Sequence, residues 1–484
     1  MSETSHPGAD APRNPSEVQV NQVLQPTQAQ SPAQKEICAR SEVKKAAVFL
    51  PACLMVLLTY VLGTSEYIVF GSLPEIAERF GVSVTLVGSL AAFYAIAYAV
   101  GTPVISGFTA RFKTMRLLGV LLCAFILVHL LSAVAWNIEL LFVLRILTAL
   151  VNGPLIALDV LLAKRIIPKH ATAKVIAWIF TGFSIANLAG MPLTSWLTVR
   201  LGLGASFIFV AALGALCLIS FSFLMPRFES GVQTEREIQV DFEANPTEAQ
   251  AFESKDIATR SEQSERTTSE DSARGDSQAT HYSWSEQLQM FKDVRILLLF
   301  SIATTALIAP YIVYTYFTTL LKDVYHLTAE QVSLCLFAYG IFTIISSLSS
   351  GYIAERKPLR IFPIVFVVQI ILFLAFGLLI HQMMIALILF YVLTVTMCMH
   401  FTGYVETSLG IVMREYPAAQ QLSSGLLSVG TNVGIALGAL IGGQVVASAG
   451  LETLPFVAAI VVFIPLASAI LAYIKLGAQT KAKN

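Results

Sequence analysis

Residues 46–73 read AAVFLPACLMVLLTYVLGTSEYIVFGSL, a run with one charged side chain, Glu66. A helix needs about 20 mostly apolar residues to cross a bilayer, so this stretch is a membrane span. Eleven similar runs follow it, at roughly 84–106, 115–136, 139–162, 172–198, 203–225, 295–321, 330–354, 359–380, 384–410, 420–447 and 454–474. None shows the two-residue alternation of a membrane barrel strand. The reading is an all-α integral membrane protein with 12 transmembrane helices.

Composition agrees. Of 484 residues, 56% are hydrophobic and 13% charged, against about 25% charged in soluble domains. The mean hydropathy is +0.71. These values exclude a soluble multidomain enzyme, a disordered chain and a nucleic-acid binder. The formal charge is zero, 31 Lys+Arg against 31 Asp+Glu, but it divides. Residues 226–293 carry 7 Lys+Arg and 15 Asp+Glu, a balance of −8, and the rest of the chain carries +8. Of the six cysteines, Cys53, Cys123, Cys217, Cys335 and Cys398 fall in apolar runs and Cys38 in the polar tail, without metal spacing; they read as small apolar residues. No nucleophile–base set, metal motif or phosphate loop is present, so neither enzyme nor cofactor is expected.

The chain divides into a tail (1–45), an N-terminal bundle (46–225), an acidic linker (226–293), a C-terminal bundle (294–475) and a short C-terminal tail (476–484). The first tail is rich in Gln, Pro, Ser and Ala and is expected to be disordered. It is no cleaved signal peptide, because the first apolar run starts far in and is too long; span 1 is expected to act as an uncleaved anchor. Lys and Arg of short loops set orientation. Lys35, Arg40, Lys44 and Lys45, then Arg111, Lys113 and Arg116, Lys164, Arg165, Lys169 and Lys174, Arg356, Lys357 and Arg360, and Lys475, Lys481 and Lys483 all fall on one side. The other side has Arg79, Arg200 and Lys322. The expected location is the plasma membrane with both termini cytoplasmic. The linker's middle, 254–280, is expected to be disordered, a plain tether or a phosphorylation segment. Its end, from Trp284 through Leu288, Met290 and Phe291, has the spacing of an amphipathic helix that would lie on the membrane surface.

The two halves carry equivalent features at a fixed offset. Gly182 and Gly190 in span 5 recur as Gly430 and Gly438 in span 11, 248 positions on. Such duplication is a common way to build a transporter.

Charge at the bilayer centre costs about 2.5–3.5 kcal/mol on insertion scales, so such residues usually face a cavity and a partner. Four stand out: Glu66, Arg145, Asp159 and Glu406. Glu66 is roughly 11 Å below the outer end of span 1, and Arg145 roughly 9 Å below the start of span 4, at 1.5 Å per residue. The hypothesis is that they face one another across the N-terminal half. A carboxylate with a movable Arg partner in a semi-dry cavity can switch protonation with access to water; the alternative is a permanent structural ion pair. Asp159 reads equally as a gate partner for Arg111 or as a solvated charge at the end of its helix. His400, about two turns from Glu406, is either titratable or a hydrogen-bonded core histidine, as is His129 in span 3.

Asn152, Asn187, Asn432, Tyr311, Tyr314 and Tyr316 are uncharged polar groups within the spans. Tyr311 and Tyr314 share a helix face and either line a ligand cavity or pack between helices. Gly430, Gly434, Gly438 and Gly442 make a smooth stripe for close helix approach. Gly182, Gly190 and Pro192 mark a piece of span 5 able to bend or rock, because Pro removes a backbone donor.

Four pieces resemble the major facilitator superfamily, and within it the twelve-span drug:proton antiporters of the arabinose-efflux-permease-like and sugar-efflux branch. Gly63–Ala77 with Val82 and Ser83 is similar to the first-span signature, a Glu before an aromatic residue. Arg145–Gly153 resembles the span-4 motif whose Arg is tied to proton coupling. Gly182–Pro192 resembles the span-5 antiporter motif. Gly351–Arg360 resembles the cytoplasmic loop motif, with Glu355 at the acidic and Arg356 at the basic position. Departures are Ala110 where the first loop motif has Asp, Ser106 for its opening Gly, Leu193-Thr194 after Pro192 in place of two glycines, and Asn152 where the branch often has His.

The resemblance implies two pseudo-symmetric six-helix bundles (the major facilitator fold) around a central cavity opening alternately to each side, driven by a proton gradient. It implies Glu66 and Arg145 as proton-coupling residues and Asn152, Asn187, Tyr311, Tyr314 and His400 as cavity residues. Arg111, Asp159, Glu355 and Arg356 would belong to the gating loops. The expected partners are a small-molecule substrate, protons and the lipid bilayer, with no metal and no nucleic acid, in a monomer. The expected function is proton-coupled efflux of drugs or small amphiphiles. The alternatives are export of a sugar, nucleoside or amino acid, and a transport-inactive sensor on the same fold.

Overall fold

A computed structural model of the protein describes residues 32–109, 114–167, 169–244, 286, 288–354, 358–416 and 419–482. Among these residues the structure is helical, with no strand. Ten helices are long and apolar enough to cross a membrane: Phe49–Gly71, Val84–Thr102, Thr114–Ala133, Ile138–Ile166, Lys174–Leu201, Leu203–Phe223, Val294–Asp323, Ala329–Ser346, Gly425–Ala449 and Leu451–Ile474. Two shorter apolar helices, Pro363–Leu378 and Met383–Met397, stand between the last four. In chain order these are spans 1 to 12, the all-α twelve-span architecture that the apolar runs predict.

Lipid offers no hydrogen bonds, so each span must satisfy its own backbone, which only a helix does within one segment. The side chains then sort by face. Span 3 buries Leu118, Leu122, Phe125 and His129 and turns Val120, Leu127 and Leu131 outward, where an apolar solvent suits them.

The two halves repeat one packing solution. In span 5, a Cβ placed on Gly182 would lie 2.6 Å from the Thr59 hydroxyl oxygen and 2.7 Å from the Val56 carbonyl of span 1. In span 11, Gly430 meets the Thr304 hydroxyl of span 7 in the same way, and Gly434, Gly438 and Gly442 continue down that helix. Span 5 therefore lies on span 1 as span 11 lies on span 7. Between the halves, span 2 runs along span 11 and span 5 along span 8. At the latter contact, Gly340 leaves room for the backbone of Asn187 and Leu188.

Spans 5 and 7 are irregular where proline demands it. Span 5 changes to a π-helix over Ala186–Gly190 and returns to α at Met191. Pro192 has no N–H for the Leu188 carbonyl, so the ladder shifts there, as π-bulges commonly do at functional positions. Span 7 breaks into Val294–Thr305, Ile308–Tyr314 and Phe317–Asp323. Pro310 removes the donor for Ala306, and the flanking turn is closed instead by Leu307 donating to Thr304.

Three expectations change. The helix that contains span 1 starts at Pro32, so residues 32–45 are helical rather than disordered; Ala, Gln, Lys, Glu and Arg there are good helix formers. The helix of span 6 runs on to Ala244, well into the acidic linker. The linker's end is not a surface amphipathic helix over its described part. It is a short 3-10 helix, Leu288–Lys292, whose Met290 is fully buried against Ile296, Val412 and Ala419 of the C-terminal half. Residues 1–31, the segment 254–280 and Trp284 lie outside the described residues.

A charged clasp holds this end. Asp293 caps span 7 by accepting from the Arg295 N–H at 2.9 Å, and the Arg295 guanidinium pairs with both Asp293 and Glu415 at the end of span 10. The Arg295 hydrogen bond holds the Asp293 carboxyl below its usual range.

Two predictions follow from packing and charge. Gly438→Val would push a side chain to within 2.6 Å of the Ile308 carbonyl and should cost about 1–3 kcal/mol of stability, read as a lower melting temperature in detergent. Gly410→Ala, with nothing within 4 Å, should melt like the wild type. Asp293→Asn keeps the cap and removes the charge. A carboxyl whose folded value is depressed adds stability above its unfolded range and loses it as pH falls through the folded value. The variant should therefore melt lower at neutral pH, and the gap should close below the ordinary Asp range, near ~3.9; a gap that does not depend on pH would contradict the clasp.

Candidate functional site

The centre of the N-terminal half is built on Arg145 of span 4, 1% exposed. Its Nη1 donates to the Ser65 carbonyl at 2.9 Å and its Nη2 to the Glu66 carbonyl at 3.2 Å. Its guanidinium carbon sits 4.6 Å from the centre of the Tyr94 ring of span 2. One turn pair further along the same face, Asn152 donates to the Tyr94 hydroxyl at 2.7 Å and to the Leu62 carbonyl at 3.4 Å. Gly153 and Gly101 allow spans 2 and 4 to approach this closely, against Thr102 and Leu150 respectively.

Arg145 and Glu66 are thus brought to the same level, but they do not form the direct ion pair expected of them. The planar fork of an arginine matches two successive carbonyls of the facing helix and stacks on a ring, and Arg145 takes that arrangement. Among the described residues the half-buried Glu66 carboxylate has no ion-pair partner, though it lies within reach of the guanidinium's field. His129 is the hydrogen-bonded core histidine. Its Nδ1 donates to the Phe125 carbonyl at 2.8 Å, which leaves Nε2 to meet the Ser65 hydroxyl at 2.7 Å.

The C-terminal half contributes rings. Tyr67 lies beside Asn187 of span 5 and next to Phe70, with ring centres 6.5 Å apart. Phe70 reaches across to Tyr311 at 6.0 Å and Tyr314 at 5.2 Å. Tyr314 stacks on Tyr339 at 4.8 Å, and Phe390 stacks on both Tyr339 and Phe317. The Tyr314 hydroxyl donates to the Met191 sulfur at 3.3 Å. Tyr314 is therefore buried in a ring cluster that joins the halves, whereas Tyr311 stays partly accessible.

Other predicted residues lie elsewhere. Asp159 is fully buried, which rules out the solvated helix-end reading. Gly182 and Gly190 shape the contact of span 5 with span 1, and Pro192 opens the α-helix after the π-turn. Arg111, Glu355, Arg356 and the side chains of His400 and Glu406 lie outside the described residues.

Two ion pairs that the linear sequence does not announce cross between the halves on the face bearing the loops after odd-numbered spans. Lys322, at the end of span 7, meets Glu75 at 2.8 Å, with the two side chains 27% and 13% exposed. Arg200, at the end of span 5, meets Glu330 at the start of span 8, both more than half exposed. Just below, the Thr318 hydroxyl donates to the Phe70 carbonyl at 3.0 Å. The odd-loop face is therefore held shut. Exposed pairs contribute about 0–1 kcal/mol, so the half-buried pair should dominate. Spin labels on Glu78 and His326 should report a wider odd-loop distance in Lys322→Ala and an unchanged one in Arg200→Ala; equal shifts in both would contradict this ranking.

Comparison with known proteins is consistent with this architecture. The Major Facilitator Superfamily profile matches residues 55–419. The uncharacterized MFS-type transporter YtbD of Bacillus subtilis is 24% identical over 404 residues, covering 83% of this chain and 90% of that protein. A probable sugar efflux transporter of Mannheimia succiniciproducens is 30% identical over 36% of this chain and 44% of its own length. A chloramphenicol resistance protein of Streptomyces lividans is 31% identical over 34% and 41%. For these last two, the match spans less than half of the relative. Among solved structures, a bacterial homolog of the human lysosomal transporter Spinster, in an inward-facing state, superposes with a TM-score of 0.63 at 12% identity, over 88% of this chain and 97% of that one.

Proposed function

The chain belongs to the Major Facilitator Superfamily, and on that premise we propose that it is a proton-coupled exporter of small amphiphilic molecules that works by alternating access. It is a multi-pass membrane transporter and not an enzyme. The observation that carries the finer reading is the half-buried Glu66 beside a guanidinium committed to backbone carbonyls. A carboxylate in that position is free to take a proton from a cavity or to bind a cationic group, but not both at once, which is the exclusion an antiporter needs.

The substrate class follows from the walls. Tyr67 lies beside the acid and next to Tyr311, and an apolar gap of about 20 Å³ lined by Pro310, Tyr314, Tyr339, Phe373, Phe390 and Met397 lies in the C-terminal half. Rings and methyls with one acid favour an amphiphile with a cationic end. The names of two relatives, one for chloramphenicol resistance and one for sugar efflux, keep a polar metabolite as the second reading, supported here by Asn187; Asn152, expected in the cavity, is instead fully buried and spent on Tyr94 and the Leu62 carbonyl. With the Lys- and Arg-rich even-loop side read as cytoplasmic, the odd-loop face looks outward and the described state is the one closed to the outside.

The test is transport in liposomes with an imposed pH gradient, using a panel of cationic dyes, chloramphenicol and simple sugars. Glu66→Gln, which mimics the protonated acid, should weaken binding and exchange of a cationic dye and lose gradient-driven export by roughly tenfold or more, the equivalent of about 1.4 kcal/mol. Arg145→Lys should lose both, because an ammonium cannot span two carbonyls and a ring. Wild-type coupling in Glu66→Gln, or no proton movement with any panel member, would refute the proposal.

A further inference from the structure

Ser65 stands next to the acid of the site, and its hydroxyl is used differently from its neighbours. The buried hydroxyls of Thr59, Thr64, Ser132 and Thr148 each donate to the carbonyl one turn back on their own helix. Ser65 spends its hydroxyl across helices, on Nε2 of His129 in span 3 at 2.7 Å. The direction of that bond is fixed. A neutral imidazole has one N–H and one lone pair, and Nδ1 is committed to the Phe125 carbonyl at 2.8 Å, so Ser65 donates and Nε2 accepts. Both residues are shut off from solvent, Ser65 at 0% and His129 at 1% exposure. The imidazole packs on the Phe125 ring at 4.1 Å between centres, with Phe207 of span 6 at 6.2 Å.

Ser65 is therefore held from two sides. Span 3 takes its hydroxyl, and Arg145 of span 4 takes its carbonyl at 2.9 Å. Together these bonds decide which way span 1 faces at this level. Successive helix side chains stand about 100° apart, so with Ser65 turned to span 3 the Glu66 side chain points away from span 3. Phe70, one turn on, shares the Glu66 face and looks toward Tyr311 and Tyr314 of the C-terminal half. Span 1 is also bonded to span 5, at Thr59 with Ile179 and at Ser72 with Thr198. Beside Glu66, however, it meets span 5 through Gly190 against Thr64, a smooth contact that resists turning little. Of the described groups around the acid, Tyr67 on its own span, Tyr94 and Tyr98 of span 2 and Arg145 of span 4, the cation is Arg145. Without the Ser65–His129 bond, attraction between opposite charges in a weakly screening interior would turn the acid toward that guanidinium.

We propose that His129 is a positioning residue: through the Ser65 hydroxyl it fixes the rotation of span 1, so that the Glu66 carboxyl faces the cavity and not the Arg145 guanidinium. It acts as a neutral hydrogen-bond acceptor and carries no proton of the transport cycle. The inference rests on the role given to Glu66 and is separable from it by experiment.

The test is infrared difference spectroscopy of the full-length protein in lipid vesicles between about pH 4 and about pH 9, from the ordinary carboxyl range to well above it. The Glu66 C=O band is the one that Glu66→Gln removes. Ser65→Ala and His129→Leu should each displace or abolish that band, because the acid then meets the guanidinium. His129→Gln should keep it in place, since an amide can donate to the Phe125 carbonyl and accept from Ser65. Ser132→Ala, which deletes a buried hydroxyl of span 3 that bonds within its own helix, should leave the band unmoved. If His129→Leu does not fold, the smaller change in Ser65→Ala decides. A Glu66 band at its wild-type position in Ser65→Ala, or one displaced as far by Ser132→Ala, overturns this inference and leaves the proposed function standing. A spectrum in which Glu66→Gln removes no band defeats the role given to Glu66, and this inference falls with it.

Discussion

A single buried cation organises the N-terminal half. An arginine inside a membrane protein is costly unless its charge is met by dipoles and a ring. Arg145 meets that demand with two carbonyls of span 1 and the face of Tyr94 from span 2. Three helices are thereby held at one level by one side chain. The arrangement also decides the chemistry of its neighbour. Because the guanidinium is spent on backbone, Glu66 keeps an uncommitted carboxylate. A closed Arg–Glu pair would be a structural rivet, whereas the observed geometry leaves an acid whose state depends on what else enters the cavity.

The second constraint is how closely helices approach. Span 5 on span 1 and span 11 on span 7 meet through glycines that touch threonine hydroxyls and carbonyls. Such contacts are short, and they carry little side-chain interlock. The π-turn of span 5 falls where that helix leaves span 1 and meets span 8 across the halves. Local ladder defects and small residues are therefore concentrated at the seams where one bundle would move against the other, and bulky residues fill the bundle interiors.

Much of this was legible in the sequence. Twelve apolar runs gave the spans, because hydropathy over about 20 residues is a one-dimensional property. Depth counting placed Glu66 and Arg145 at one level. It could not foresee that the guanidinium would choose the carbonyls of residues 65 and 66 over the carboxylate, since a helix backbone has no letter in the sequence. Tyr94, Phe70 and Tyr339 gave no signal, as aromatic residues in an apolar run look like packing whichever ring they meet. The pairs Glu75–Lys322 and Arg200–Glu330 were hidden by separation along the chain. Of the two readings of Asp159, the solvated helix end fails: its neighbours Lys164 and Arg165 suggested water, whereas the helix continues far enough to bury it.

These parts converge on span 1. Glu66 carries the free acid, Phe70 one turn on offers its carbonyl to Thr318 and its ring to Tyr314, and Glu75 in the short helix that follows takes Lys322. Acid, aromatic contact and latch thus lie in order along one element, all facing the C-terminal half or the cavity between. A change at the acid need not travel through a diffuse network to reach the closure. A shift of span 1 that makes room for a ligand beside Glu66 would strain the Phe70 contacts and the Glu75 pair together. Occupancy of the acid and closure of the odd-loop face are then two readings of the position of one helix. On the proposed reading, coupling needs only that two positions of span 1 differ in how well they hold a proton, and the Glu66 carboxylate would supply that difference.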